Sequence, residues 1–144
     1  MEREWRVVIP KQDNDGQQIR FDLLAGYIEE VSRHFGGATV YPKTQGCWMM
    51  QQLYGGEVLH CEPTMVVDVI RTGVDRGQIT ADGQWLADFA TRIAVQLGQE
   101  AVFEQQDLAT RTEFRPGRAL QRLPADMIQQ GPPPATPLAR ALGE

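Results

Sequence analysis

The chain is poor in the residues that most often carry chemistry. Its 144 residues include two histidines and two cysteines. With only His34 and His60, and no G-x-S-x-G, a Ser-His-Asp constellation has no support. Cys47 and Cys61 do not form the C-x-x-C or H-x-x-x-H spacings of a zinc site. The glycine pairs at Gly36 and Gly55 do not follow a strand and open a helix, which argues against a Rossmann or P-loop phosphate cradle. Lys43, Arg71 and Arg76 are too scattered to replace one. A basic surplus is also missing: 14 Lys and Arg against 19 Asp and Glu leave a net charge of -5. That disfavours nucleic acid and anionic membrane as partners. No apolar run approaches the ~20 residues needed to span a bilayer. MEREWRVVIP holds no apolar h-region and no small-residue cleavage site, so a cytoplasmic protein with reduced thiols is expected.

What is present is enough apolar material for one core, 42% of the chain, at a length usual for a single domain. Trp5, Val7 and Ile9 alternate as in a strand closed by Pro10. Phe21, Leu24, Ile28, Val31 and Phe35 step by three or four, one face of a helix ending at Gly36 or Gly37. Short strands are expected at Ala38–Tyr41 and Cys47–Met50, separated by the turn KTQG. Glu57–Thr72 reads as one long strand in which Pro63 demands an edge or a bulge. A second helix carries Trp85, Phe89, Ile93 and Leu97, capped by Thr80 or Asp82. Ala101–Phe103 and Ala109–Phe114 read as final strand material. Six of the nine prolines follow Phe114, so residues 115–144 read as a flexible or extended tail, with P-P-P-A-T-P resembling polyproline II. The order predicts an α+β domain over residues 1–114. Its expected form is a ferredoxin-like βαββαβ sandwich, with two helices on one face of an antiparallel sheet and a small extra hairpin. The other sheet face calls for a cover, and a second subunit is the simplest one.

Few residues qualify as site candidates. Asp68 is the one charge in an apolar strand, which marks either a functional acid or a partner for an arginine such as Arg6. Alternation along the strand puts His60 and Glu62 on one face and Cys61 on the other, where Cys47 could meet it across the hairpin. A metal site on the first face would join His60 and Glu62 to His34 or a carboxylate such as Asp68, and one on the other face would pair Cys61 with Cys47. A small-molecule pocket would draw on Tyr41, Trp48 and Glu62. As an enzyme, the chain would use Asp68 as base, His60 as acid and Trp48 as pocket wall.

FGGATV, GCW, GGEVLHCEPTMVVDV and LGQEAVF follow one another in an order that resembles a bacterial family known only as a domain of unknown function. Its pattern runs F-x-G-G-x-T-V or close to it, G-x-W, G-x-V-x-x-E, G-Q-E-x-V. The resemblance spans Trp5 to Phe114 and implies a ferredoxin-like fold. Many members look like exported lipoproteins, and this chain departs from them in lacking a lipobox cysteine. No activity comes with the family. The expectation is therefore a homodimeric binding or interaction module that meets its copy through the open sheet face, with a protein partner and no cofactor. A cofactor-independent enzyme with a pocket between sheet and helices, or a metal or thiol redox sensor, are the alternatives.

Overall fold

The computed structural model describes residues 2–99, 101–106, 111–117 and 121–143. The elements run β1 (Glu2–Pro10), α1 (Phe21–Phe35), β2 (Thr39–Gln51), β3 (Glu57–Thr72), α2 (Arg76–Gln96), β4 (Ala101–Gln106) and β5 (Arg111–Pro116). A 3-10 turn (Ala125–Met127) and a short helix α3 (Pro137–Gly143) follow. The strands form one five-stranded sheet in the order β2-β3-β1-β4-β5, and every pairing is antiparallel. The α+β expectation holds.

Strand alternation sorts the sheet into two unlike faces. Trp5, Val7 and Ile9 of β1 and Met65, Val67 and Val69 of β3 are buried in one core with Leu24, Ile28 and Val31 of α1 and Leu86, Phe89 and Ile93 of α2. Arg6, Val8, Val66, Asp68 and Ile70 lie on the other face and stay partly or fully exposed. Helix α1 covers the span expected of it. It stops because Gly36 takes φ 88°, a left-handed value that costs glycine nothing, and its N–H closes on the Ser32 carbonyl at 2.8 Å.

Three sequence expectations need correction. The short strands on either side of KTQG are one strand, β2, because the register break between Tyr41 and Thr44 absorbs Pro42 without ending the ladder. Helix α2 begins earlier than Thr80: Asp75 caps it, accepting from the Gln78 N–H at 2.9 Å, and Asp82 is a buried residue inside the helix. The C-terminal segment does not hang free. Leu123, Ile128, Ala139 and Leu142 are all buried in the core. Residues 127–129 run alongside residues 18–20, with the Arg20 N–H bonded to the Met127 carbonyl and the Gln129 N–H to the Gln18 carbonyl. Four well-spaced apolar residues are enough to dock a proline-rich chain, since proline loses little entropy on ordering. Gly117 passes so near Ala94 and the Gln99 carbonyl that a β-carbon would collide with both. Residues 109 and 110 of the expected Ala109–Phe114 strand lie outside the described residues.

Candidate functional site

The first candidate region is the open face and the arm that continues it. β1 pairs with β3 only from Thr64 to Thr72, whereas β2 and β3 remain paired out to Gln51 and Glu57. The outer halves of β2 and β3 therefore form a two-stranded arm beyond the reach of β1. Pro63 sits where β1 has ended, so no ladder donor is missed there. Instead its carbonyl accepts the Lys11 N–H at 3.1 Å.

Asp68 faces Arg6 across the β1–β3 register. The guanidinium forks onto both carboxylate oxygens, at 2.7 and 2.9 Å, and lies 6.0 Å from the centre of the Tyr41 ring. This is the ion-pair alternative for Asp68. His60 lies eight residues away on the same strand, about 26 Å at ~3.3 Å per residue. One copy of the chain therefore cannot bring Asp68 and His60 to one substrate as base and acid. His60 contacts the Trp48 ring edge-on at 4.7 Å. Glu62 stands between them on the half-buried base of the arm, and burial raises its pKa against the opposing pull of His60.

On the other side of the arm Cys47 and Cys61 lie directly opposite each other, Cα atoms 4.1 Å apart, and are joined by a disulfide. The expectation of two reduced thiols is corrected by this pairing, and in this state neither sulfur is a free thiolate ligand. Among the described residues no three His, Cys, Asp or Glu side chains gather as metal ligands would.

The second candidate lies on the helix side, where alternation along β3 puts Arg71. The Asp82 carboxylate is fully buried. It accepts Arg71 Nε at 2.9 Å and Nη2 at 3.2 Å, and Gln78 Nε2 at 2.8 Å. His34 Nε2 lies 3.0 Å from the same carboxylate. Burial pushes the Asp82 pKa up, but the hydrogen bonds from Arg71, Gln78 and His34 outweigh it and hold the group below the ordinary carboxylate range. The His34 ring stacks on Trp85 at 4.1 Å, and Trp85 on Phe89 at 5.3 Å. Arg71 Nη2 also donates to the His34 carbonyl at 3.0 Å, tying the end of α1 to the sheet. A carboxylate that orients one ring nitrogen of a partly exposed imidazole leaves the other nitrogen to exchange a proton or receive a hydrogen bond. Sequence reasoning missed this cluster because its members are dispersed over residues 34, 71, 78 and 82. The one local signal was Gln78 and Asp82 four apart on the helix. His34, considered as a second ligand for the His60 face, belongs here instead.

No protein-family model matches the chain, and no curated protein does. Solved structures give a likeness of fold. A phage SAM lyase in complex with S-methyl-5'-thioadenosine superposes with a TM-score of 0.55 at 12% identity, over 80% of this chain and 89% of the lyase. The apo state of a phage SAM lyase gives 0.50 at 10%, over 79% and 88%. A B. subtilis GlnK–ATP complex reaches 0.38 at 12% identity, over 79% and 93%. At these identities the likeness extends to the fold alone. Among the described residues no helix is long and apolar enough to cross a membrane.

Proposed function

We propose that the chain is a homo-oligomeric binding or interaction module of the ferredoxin-like type, with β1-α1-β2-β3-α2-β4 as its βαββαβ unit and β5 added at the far edge. One observation carries the functional reading: helices bury one face of the sheet, while the other holds Tyr41 45% exposed and Ile70 48% exposed beside Val8 and Val66. Apolar side chains held this way on a rigid sheet are what a sheet-to-sheet contact buries. A second copy is the proposed cover, and membership of the family with the G-x-V-x-x-E pattern belongs to the same reading. Sedimentation of the wild type and of Ile70→Glu tests it. A wild-type assembly that loses its sheet-face contact, and so falls in mass, in Ile70→Glu is the expected result; an assembly of unchanged mass would reject this face.

A second reading, small-ligand binding with or without turnover, draws on the His34–Asp82 pair and its tryptophan stack. S-methyl-5'-thioadenosine, bound by the lyase of similar fold, is the first compound to titrate by calorimetry. Binding that His34→Ala abolishes would favour this reading, and no heat at any concentration would count against it.

A further inference from the structure

The arm has two edges, and they are not guarded alike. Along β3 its edge carries Glu57, His60, Glu62 and Pro63, the charges and proline that natural sheets place on exposed edges to block pairing. Along β2 the inner part is guarded by Pro42, Lys43 and the register break. From Gln45 to Gln51 the guards stop. QGCWMMQ contains no charge and no proline, keeps unbroken register with β3, and is exposed at every position except half-buried Gly46.

The phase of the ladder can be worked out. The Gln52 N–H bonds to the Gly56 carbonyl at 3.0 Å. Because pairs alternate along an antiparallel ladder, Met50/Val58, Trp48/His60 and Gly46/Glu62 exchange hydrogen bonds, and the pairs between them do not. Two independent facts agree. Cys47 and Cys61 approach to 4.1 Å between Cα atoms, the close spacing of a non-bonded pair. Pro63, opposite Gln45, has no N–H to give. The N–H and C=O groups of Gln45, Cys47, Met49 and Gln51 therefore point away from β3, off the free edge.

We propose that this edge pairs antiparallel with the same segment of a second copy, centred on Trp48. In that register Gln45 meets Gln51 and Cys47 meets Met49, so each outward-bonding residue faces another and the backbone groups are matched throughout. No like charges oppose one another. The two-fold relation makes a single patch its own complement, as a closed dimer requires. The area is adequate as well. Trp48, Met49, Met50, Leu53, Tyr54, Val58 and Leu59 are between 36% and 97% exposed. Together they present on the order of the ~800 Å² that each partner gives to a standard interface. This surface is distinct from the open sheet face and stands or falls separately.

Met49→Pro is the decisive variant. It deletes one outward N–H and leaves the β3 ladder whole, since Met49 does not bond to β3, and proline is tolerated where the lost donor faces solvent. Sedimentation velocity over a wide concentration range should show self-association weakened by about tenfold or more in Met49→Pro, the effect of losing hydrogen bonds at an interface. Met49→Ala, which keeps the N–H, should retain more of it, and Ile70→Glu should leave the arm contact in place. Should Met49→Pro fail to fold by circular dichroism, Met49→Lys supplies the missing guard and must weaken association likewise. Self-association unchanged by both Met49→Pro and Met49→Lys would overturn the proposal, whatever Ile70→Glu does to the open face. So would a wild type that is monomeric throughout, including one that binds an extended QGCWMMQ peptide, since the occupant would then not be a second copy.

Discussion

Strand β3 contributes to two arginine–aspartate pairs whose residues lie three apart along it, one on each side of the sheet. Asp68 reaches across to Arg6 on the open side, and Arg71 reaches to Asp82 on the helix side. Both guanidinium groups engage both carboxylate oxygens of their partner. The surroundings differ. The side chains of Arg6 and Asp68 keep 33% and 20% of their exposure, whereas Asp82 keeps none and depends on Arg71, His34 and Gln78 together. An exposed pair can exchange its partner for water; a buried carboxylate cannot. Similar chemistry on opposite faces of one strand should therefore carry unequal weight.

Removing Asp82 should have the largest effect. Asp82→Ala strands Arg71 and His34 inside the fold and should cost about 3–5 kcal/mol in urea unfolding. A loss no greater than that of Asp68→Ala would break the comparison. Acid should reveal the same difference. Because the folded pKa of Asp82 lies below its unfolded value near ~3.9, its contribution is complete above that pH and is lost as pH falls through the folded value. The stability gap between wild type and Asp82→Asn should thus narrow only below about pH 4, as urea midpoints across an acid series would show. Asp68→Ala should cost about 1 kcal/mol, as pairs that keep contact with water usually do. The smallest effect belongs to Glu62, whose shift runs the other way. Its folded pKa is raised, so ionisation opposes folding and stability falls as pH rises from the unfolded to the folded value. Glu62→Gln should gain less than about 1 kcal/mol at neutral pH, a gain that disappears on acidification; a loss at pH 7 would refute the assignment.

How much of this could be read from the sequence depended on the range of the interaction. Helix α1, the long strand β3 and the Arg6–Asp68 alternative follow from local periodicity and from one odd charge in an apolar run. The alternation that separates His60 from Cys61 is local too. The fused strand β2 was hidden because Pro42 reads locally as a stop, and only the paired strand shows that a bulge takes it up. The Asp82 cluster joins residues 34, 71, 78 and 82, and no spacing rule covers that set. Asp82 could pass for a helix cap until burial showed otherwise. The docked C-terminal segment was missed for a compositional reason: its prolines are conspicuous, while Leu123, Ile128, Ala139 and Leu142 are few.

That segment also bears on how the chain is made. The Lys11 ammonium, buried and with its pKa lowered first by that burial and then by Lys43, donates to the carbonyls of Pro42 and Leu142, each at 2.8 Å. The second of these acceptors lies 131 residues downstream. At ~5–20 residues per second, a ribosome needs roughly 7 to 26 seconds to supply it. Until then the nascent chain carries a lysine waiting for its acceptor and a core lacking four of its apolar side chains. A segment translated late is what allows an earlier one to settle.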